Sequence, residues 1–310
     1  MWPMRLEPTS ALVADLAPHE AAIARSVLYA ALFDYPLRLS QLRQTLIGSR
    51  QTPSDILASI RDSPALASVV EHRDGFFFPA GRHDLVAVRH RREIRSRAFL
   101  ARHTLLLRAI GSLPFVRMVA LSGSIAHFNL QAGGDLDLFI VTRGRRVWAT
   151  TVIVILLSKL LRRRSTLCAN LVVADTSLAF SPADLFTASQ IVGLRPVTGG
   201  DVMHRVLAAN SCVREHFPNF HVPPPARPSP VRQARRLVRH AVEAVLTPGY
   251  AMLERICRWT YRAYLRRRAR TWSSPEQVVL GDEVLKLHTR SHRQAVLQRF
   301  GDVVNGTAEH

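Results

Sequence analysis

Leu121-Ser122-Gly123-Ser124 and, a short distance on, Gly134-Asp135-Leu136-Asp137-Leu138-Phe139-Ile140-Val141 decide how this chain is read. Upstream, Gly111-Ser112-Leu113-Pro114 breaks a helix, and the short apolar run Phe115 to Leu121 reads as a buried strand. Gly123-Ser124 ends that strand, Ile125 to Leu130 reads as a short helix, Ala132-Gly133-Gly134 as a turn, and the run from Asp135 as a second strand. Side chains alternate across a strand, so Asp135 and Asp137 share one face while Leu136 and Leu138 enter the core. Two carboxylates on one face repel unless a cation neutralises them, and hard divalent ions with oxygen ligands do that. Gly123 and Ser124 at a helix start offer backbone N–H groups, a hydroxyl and the positive helix end, all suited to phosphate oxygens.

These residues resemble the DNA polymerase β-like nucleotidyltransferase superfamily, whose signature is an apolar residue, Gly-Ser or Gly-Gly, then about ten residues and Asp-x-Asp on a strand. More loosely, Leu28 to Leu39, Phe186 to Pro196 and Asn210 to Asn219 look like segments of bacterial proteins that carry a nucleotidyltransferase domain. The resemblance implies an α+β fold with a mixed sheet, Mg²⁺ or Mn²⁺ as cofactor, and an NTP substrate. The implied reaction moves a nucleoside monophosphate to an acceptor hydroxyl and releases pyrophosphate. Asp135 and Asp137 would ligate the metal, and Gly123 with Ser124 would hold the triphosphate. In active members a third carboxylate comes from a later neighbouring strand. Leu171-Val172-Val173-Ala174 reads as that strand, and Asp175 at its end is the candidate third ligand; its other reading is a turn or cap before Ser177 and Pro182. Asn170 on the same strand is the alternative occupant. An amide there binds metal poorly and would make the protein an inactive scaffold that binds nucleic acid or regulates. Where family members often have Ser before the first Asp, this chain has Gly134.

Around this centre the chain divides. In residues 1–81, three short helices (Glu20 to Leu32, Gln41 to Ile47 capped by Ser40, and one opened by Thr52-Pro53) precede Val69 to His72 and Phe76 to Phe78, joined through Asp74-Gly75. Helices followed by such a hairpin suggest a winged-helix-like module, its third helix too acidic to favour a DNA groove over packing. Residues 82–113 read as one long connecting helix or two, and 114–220 as the nucleotidyltransferase domain, with helices expected at Val147 to Leu161, Ala183 to Val192 and Val202 to Cys212. Residues 221–230 read as a proline-rich linker. Residues 231–310 read as an arginine-rich helical region: two basic amphipathic helices, Val231 to Leu246 and Tyr250 to Arg270, then a final helix from about Asp282 to Phe300. Packing on the catalytic domain with arginines outward is the default for that region. A nucleic-acid backbone or an anionic membrane surface is the other use.

Composition bounds the rest. At 310 residues with 47% hydrophobic and 21% charged residues the chain is globular and not a disordered tail. A net charge of +19 points to polyanions, yet only Lys159 and Lys286 are lysines, and an arginine skew can arise without selection for binding. Cys168, Cys212 and Cys257 are far apart and odd in number, which argues against a disulfide framework or zinc site and fits a reduced cytoplasm. His127 follows the Gly-Ser turn closely, but a lone histidine there is more often a packing residue. No secretory signal is expected at Met1 to Arg5, and Val147 to Leu161 is short of the roughly 20 apolar residues of a membrane span.

Overall fold

The computed structural model describes residues 13, 15–223, 230–272, 278–287 and 293–305, and Pro18 stands at the first turn of a helix. The architecture is mixed α+β. In the N-terminal unit, α1 (Pro18–Ala31), β1 (Leu37–Arg38), α2 (Leu39–Gln44), α3 (Pro53–Asp62) and α4 (Pro64–Val69) precede the hairpin β2 (Val70–Arg73) and β3 (Phe76–Pro79). Thr52 caps α3 by accepting the Asp55 N–H at 3.3 Å, and Ser63 caps the unforeseen α4 through Leu66. Asp74 and Gly75 both adopt positive φ, the geometry a two-residue hairpin requires, and the small antiparallel sheet runs β1-β3-β2. Ile23, Leu28, Leu42, Ile56, Leu66 and Phe77 close a core beneath it.

The connecting segment is a single helix, α5 (Asp84–Ser112), of 29 residues. Two of its arginines turn towards the protein: Arg89 is buried with its guanidinium 3.7 Å from the centre of the Tyr35 ring, and Arg92 pairs with Asp34 at 2.9 Å. Arg92 also donates to Asn129 Oδ1 at 3.3 Å, and so ties the N-terminal unit to the segment before β5.

The second unit is built on a six-stranded sheet. Its elements are β4 (Val116–Leu121), the single turn α6 (Gly123–Ala126), β5 (Leu136–Thr142), α7 (Val147–Leu160), β6 (Leu167–Ala174), α8 (Leu185–Val192), β7 (Arg195–Thr198), α9 (Val202–Ala208), α10 (Cys212–His216), α11 (Pro230–Arg268), β8 (Val278–Leu280) and β9 (Val284–Leu287). The strand order is β7-β4-β5-β6-β9-β8; β5 and β6 are parallel, joined across α7, and the other pairs are antiparallel. Alternation sorts the side chains. Leu121, Leu138, Ile140 and Val172 face the layer of α5, α7 and α11, while Ala120, Phe139, Val141 and Val173 face α8, α9 and α10. The final helix, α12 (Arg293–Asn305), leaves the sheet and packs on the N-terminal unit, where Phe300 meets Tyr29 edge to face at 5.1 Å between ring centres.

Several expectations are corrected here. The region from 231 onward is not purely helical: β9 pairs with β6 through Leu171–Lys286, Val172–Leu285 and Val173–Val284, so the sheet extends across the expected domain boundary. The helix expected from about Asp282 gives way to β9, because the free edge of β6 supplies hydrogen-bond partners and a buried site for Leu285; the described part of the final helix is Arg293–Asn305. The two expected arginine-rich helices are one 39-residue helix with Pro248 inside it. The helix expected over 202–212 divides at Asn210, whose side chain accepts the Phe180 N–H and donates to the carbonyls of Leu178 and Val206. Of the expected proline-rich linker, 224–229 lie outside the described residues and Pro230 already belongs to α11. Among the described residues no helix is long and apolar enough to cross a membrane.

The tie between α11 and the sheet is ionic. Glu243, fully buried, accepts from the Phe115 N–H and Arg117 Nη1 (both 2.8 Å) on one oxygen, and from Arg117 Nη2 (2.6 Å) and Arg143 Nη1 (3.1 Å) on the other; Arg239 Nε adds a contact at 3.2 Å. Burial alone would raise its pKa, but the donors from Arg117 and Phe115 prevail and hold it down to about 2. Glu254 accepts the N–H groups of Trp148 (3.0 Å) and Ala149 (2.7 Å), capping α7 from a distant part of the chain.

Glu243→Ala leaves these guanidinium groups facing one another, so chemical denaturation at neutral pH should show a loss of about 3–5 kcal/mol. The folded-state pKa is depressed, so Glu243 contributes its full stabilisation above its ordinary value of 4.5 and loses it as pH falls towards 2. The gap between wild type and variant should narrow over that window.

Candidate active site

The turn after β4 and the start of β5 meet because the strands pair antiparallel with Leu121 opposite Leu138, and the Ser122 N–H donates to the Asp137 carbonyl at 3.0 Å. Gly123 then takes φ +62°, where a side chain is strained, and a Cβ on it would lie 2.6 Å from Asp137 Oδ2. Glycine is thus required twice, for its backbone and for the approach of the carboxylate. The amides of Gly123 and Ser124 open α6 and have no preceding turn to bond within the helix. The helix is one turn, shorter than the expected Ile125 to Leu130, because Phe128 adopts φ +54° and folds the chain back towards Gly133. At Gly134 a Cβ would fall 2.5 Å from Leu130 Cδ1, so glycine lets Leu130 pack against the turn.

Asp135 stands one residue before β5 and Asp137 one residue inside it, on the same face. Parallel pairing sets Cys168 beside Asp137, and one ligand atom each of Asp135, Asp137 and Cys168 lie within 4.8 Å of one another. Burial and, after it, the charge of Asp135 push the Asp137 carboxyl up to about 7, against the hydrogen bond that Asn170 Nδ2 donates to Asp137 Oδ1. The Cys168 thiol is pushed up to about 12 by burial and by its hydrogen bond to Asp135, so it stays protonated.

Charge pairing sets this site apart. The chain carries 42 lysines and arginines, and several acids elsewhere pair with arginine, among them Asp34, Glu93, Asp184, Glu243, Asp282 and Glu283. Among the described residues, neither Asp135 nor Asp137 is in an ion pair. Two close, half-buried carboxylates without a basic partner suit a divalent cation, with the remaining ligands supplied by water and phosphate. The neutral thiol is a poor ligand for such a hard ion.

Asp175 lies elsewhere. It is at the far end of β6, where Thr142 pairs with Ala174, about 17 Å along the strands from the Asp137–Cys168 pair. There its carboxylate accepts the Gly144 N–H at 2.8 Å and sits 3.8 Å from Arg205, so the turn-and-cap reading is the correct one. The strand was rightly located; the parallel register puts Cys168 and Asn170, and not Asp175, beside the aspartates. His127 is a packing residue. Its ring meets Tyr35 at 5.5 Å between centres and Tyr35 Oη donates to its carbonyl at 3.1 Å, while the residue keeps an exposed side.

A cavity of about 150 Å³ opens next to the cluster, lined by Cys168 and Asn170 and by Thr151, Arg164, Tyr261 and Leu287. Sequence reasoning missed Cys168 because its partners come from a neighbouring strand and not from a local spacing. It missed Tyr261 and Leu287 because both were placed in a separate region. Compared with protein-family models, with curated proteins and with solved structures, the chain gives no match.

Without metal, folded Asp137 keeps its proton up to pH about 7 although the unfolded chain releases it near 3.8, so stability falls as pH rises through that interval. Mg²⁺ or Mn²⁺ should restore it. The thermal shift on adding either ion is expected to be large well above pH 7, to fade well below it as protons compete, and to vanish in Asp137→Asn.

Proposed function

We propose that the protein is a divalent-metal-dependent nucleotidyltransferase, with a winged-helix-like N-terminal module packed against the catalytic sheet. The observation that carries this reading is the contact of Asp137 with the Gly123 backbone, which makes the Gly-Ser turn and the Asp-x-Asp pair one site. Asp135 and Asp137 would hold the cation, which when bound offsets the charge of the triphosphate and acidifies the acceptor hydroxyl. The Gly123 and Ser124 amides and the Ser124 hydroxyl receive phosphate oxygens at the turn, where positive φ at Gly123 exposes the backbone. The acceptor oxygen forms a bond to the α-phosphorus and gives its proton to solvent water, the bond from the α-phosphorus to its bridging oxygen breaks, and pyrophosphate leaves with the electron pair.

One observation favours a second reading, that of a noncatalytic scaffold with the same fold. Asn170, not a carboxylate, touches Asp137 from the neighbouring strand, and the remaining member of the cluster is a protonated thiol. Nucleic-acid binding by such a scaffold would show a steep salt dependence and no need for metal.

Transfer of label from NTPs with labelled α-phosphate should be lost in Asp135→Ala, Asp137→Ala and Gly123→Ala and retained in Asp175→Asn. Undiminished transfer by both aspartate variants would refute the assignment. A wild type that binds metal and nucleotide without transfer, combined with transfer gained in Asn170→Asp, would establish the scaffold reading.

A further inference from the structure

Among the described residues, one face of α11 has no partner. Val238, Val242, Val245, Met252, Ile256 and Trp259 follow one another at steps of three, four or seven residues, so they form a single stripe about 32 Å long. All six are 47–80% exposed, whereas Glu243, Tyr250, Cys257 and Leu265, on the opposite face, are buried against the sheet layer. A row of large apolar side chains on that scale is an interaction surface and not ordinary surface composition.

The charge around the stripe selects the partner. Glu243 and Glu254 are the only acids of α11, and both turn inward, onto arginines and onto the start of α7. Arg255 and Arg262 flank the stripe and Arg266 and Arg267 close its C-terminal end; no ion pair holds any of these four among the described residues. The accessible face of the helix is therefore apolar and cationic with no negative group. A second copy of the chain would bring the same arginines against themselves, and a nucleic-acid backbone offers nothing to cover valine, isoleucine and methionine. We propose that α11 docks in the plane of an anionic lipid bilayer, with the stripe at the boundary of headgroups and acyl chains, the arginines at the lipid phosphates, and Trp259 at the interface. This inference is independent of the proposed transfer reaction.

The test is flotation of the full-length protein with vesicles of phosphatidylcholine alone or mixed with phosphatidylglycerol, followed also by tryptophan emission. Binding is expected to the phosphatidylglycerol vesicles, weakened by salt, with a blue shift that disappears in Trp259→Phe when both proteins also carry Trp2→Phe and Trp272→Phe; Trp148 is already buried and does not report. The pair Val245→Glu and Ile256→Glu, both at exposed positions, should reduce partitioning about tenfold or more while the melting temperature stays unchanged. No flotation, or equal flotation with both vesicle types, would overturn the proposal. So would light scattering that reports a dimer dispersed by the same substitutions, or DNA or RNA binding that the glutamates do not alter beyond a charge effect.

Discussion

A single carboxylate decides where the C-terminal third of the molecule can sit. Glu243 is withdrawn from water, and its two oxygens are shared among Arg117 and Phe115 at the head of β4 and Arg143 at the end of β5. Arg239, one turn earlier on α11, donates to the carbonyls of Leu113 and Val116 at the same place. An apolar contact tolerates sliding, but this one does not, since a shift of one residue would leave a buried charge unpaired. Once α11 is pinned there, Glu254 reaches the first turn of α7, Tyr250 packs on Phe115 at 4.6 Å between ring centres, and the chain is delivered to the free edge of β6.

The same scarcity of acids makes the Asp135–Asp137 pair informative. Among 23 acidic side chains and 42 basic ones, this pair combines close approach and partial burial with no ion pair among the described residues. The fold keeps it so by local means: the neighbours of the pair are a glycine turn, a thiol and an amide. Burial and, after it, the charge of Asp135 raise the pKa of Asp137, a perturbation of the kind that marks functional sites.

The Gly-Ser turn and the strand after it were legible because their signals are local: a glycine at positive φ, and alternation of Asp135, Asp137 and the leucines between them. The hairpin at Asp74-Gly75 was legible for the same reason. What could not be read depended on pairing at a distance. No spacing within residues 167–175 reveals whether the strand lies in register at Cys168 or at Asp175, because the parallel crossover through α7 sets that offset. Likewise Val284 to Leu287 carries weak strand character and becomes a strand only because β6 has an edge to complete, and nothing local marks Arg89 of α5 as the arginine buried on Tyr35. In each case tertiary contact overrode a local preference.

The position of β9 has a consequence for synthesis. β6 is made more than a hundred residues before the strand that completes its far edge, since Val172 pairs with Leu285. On the ribosome the N-terminal unit, whose strands pair within residues 37–79, can close early, while the central sheet waits with β6 exposed along one side. For that interval the apolar run Leu171-Val172-Val173-Ala174 is an open template for any other strand. The protein thus carries its greatest risk of misassembly as a nascent chain, and the arrival of a four-residue strand ends it.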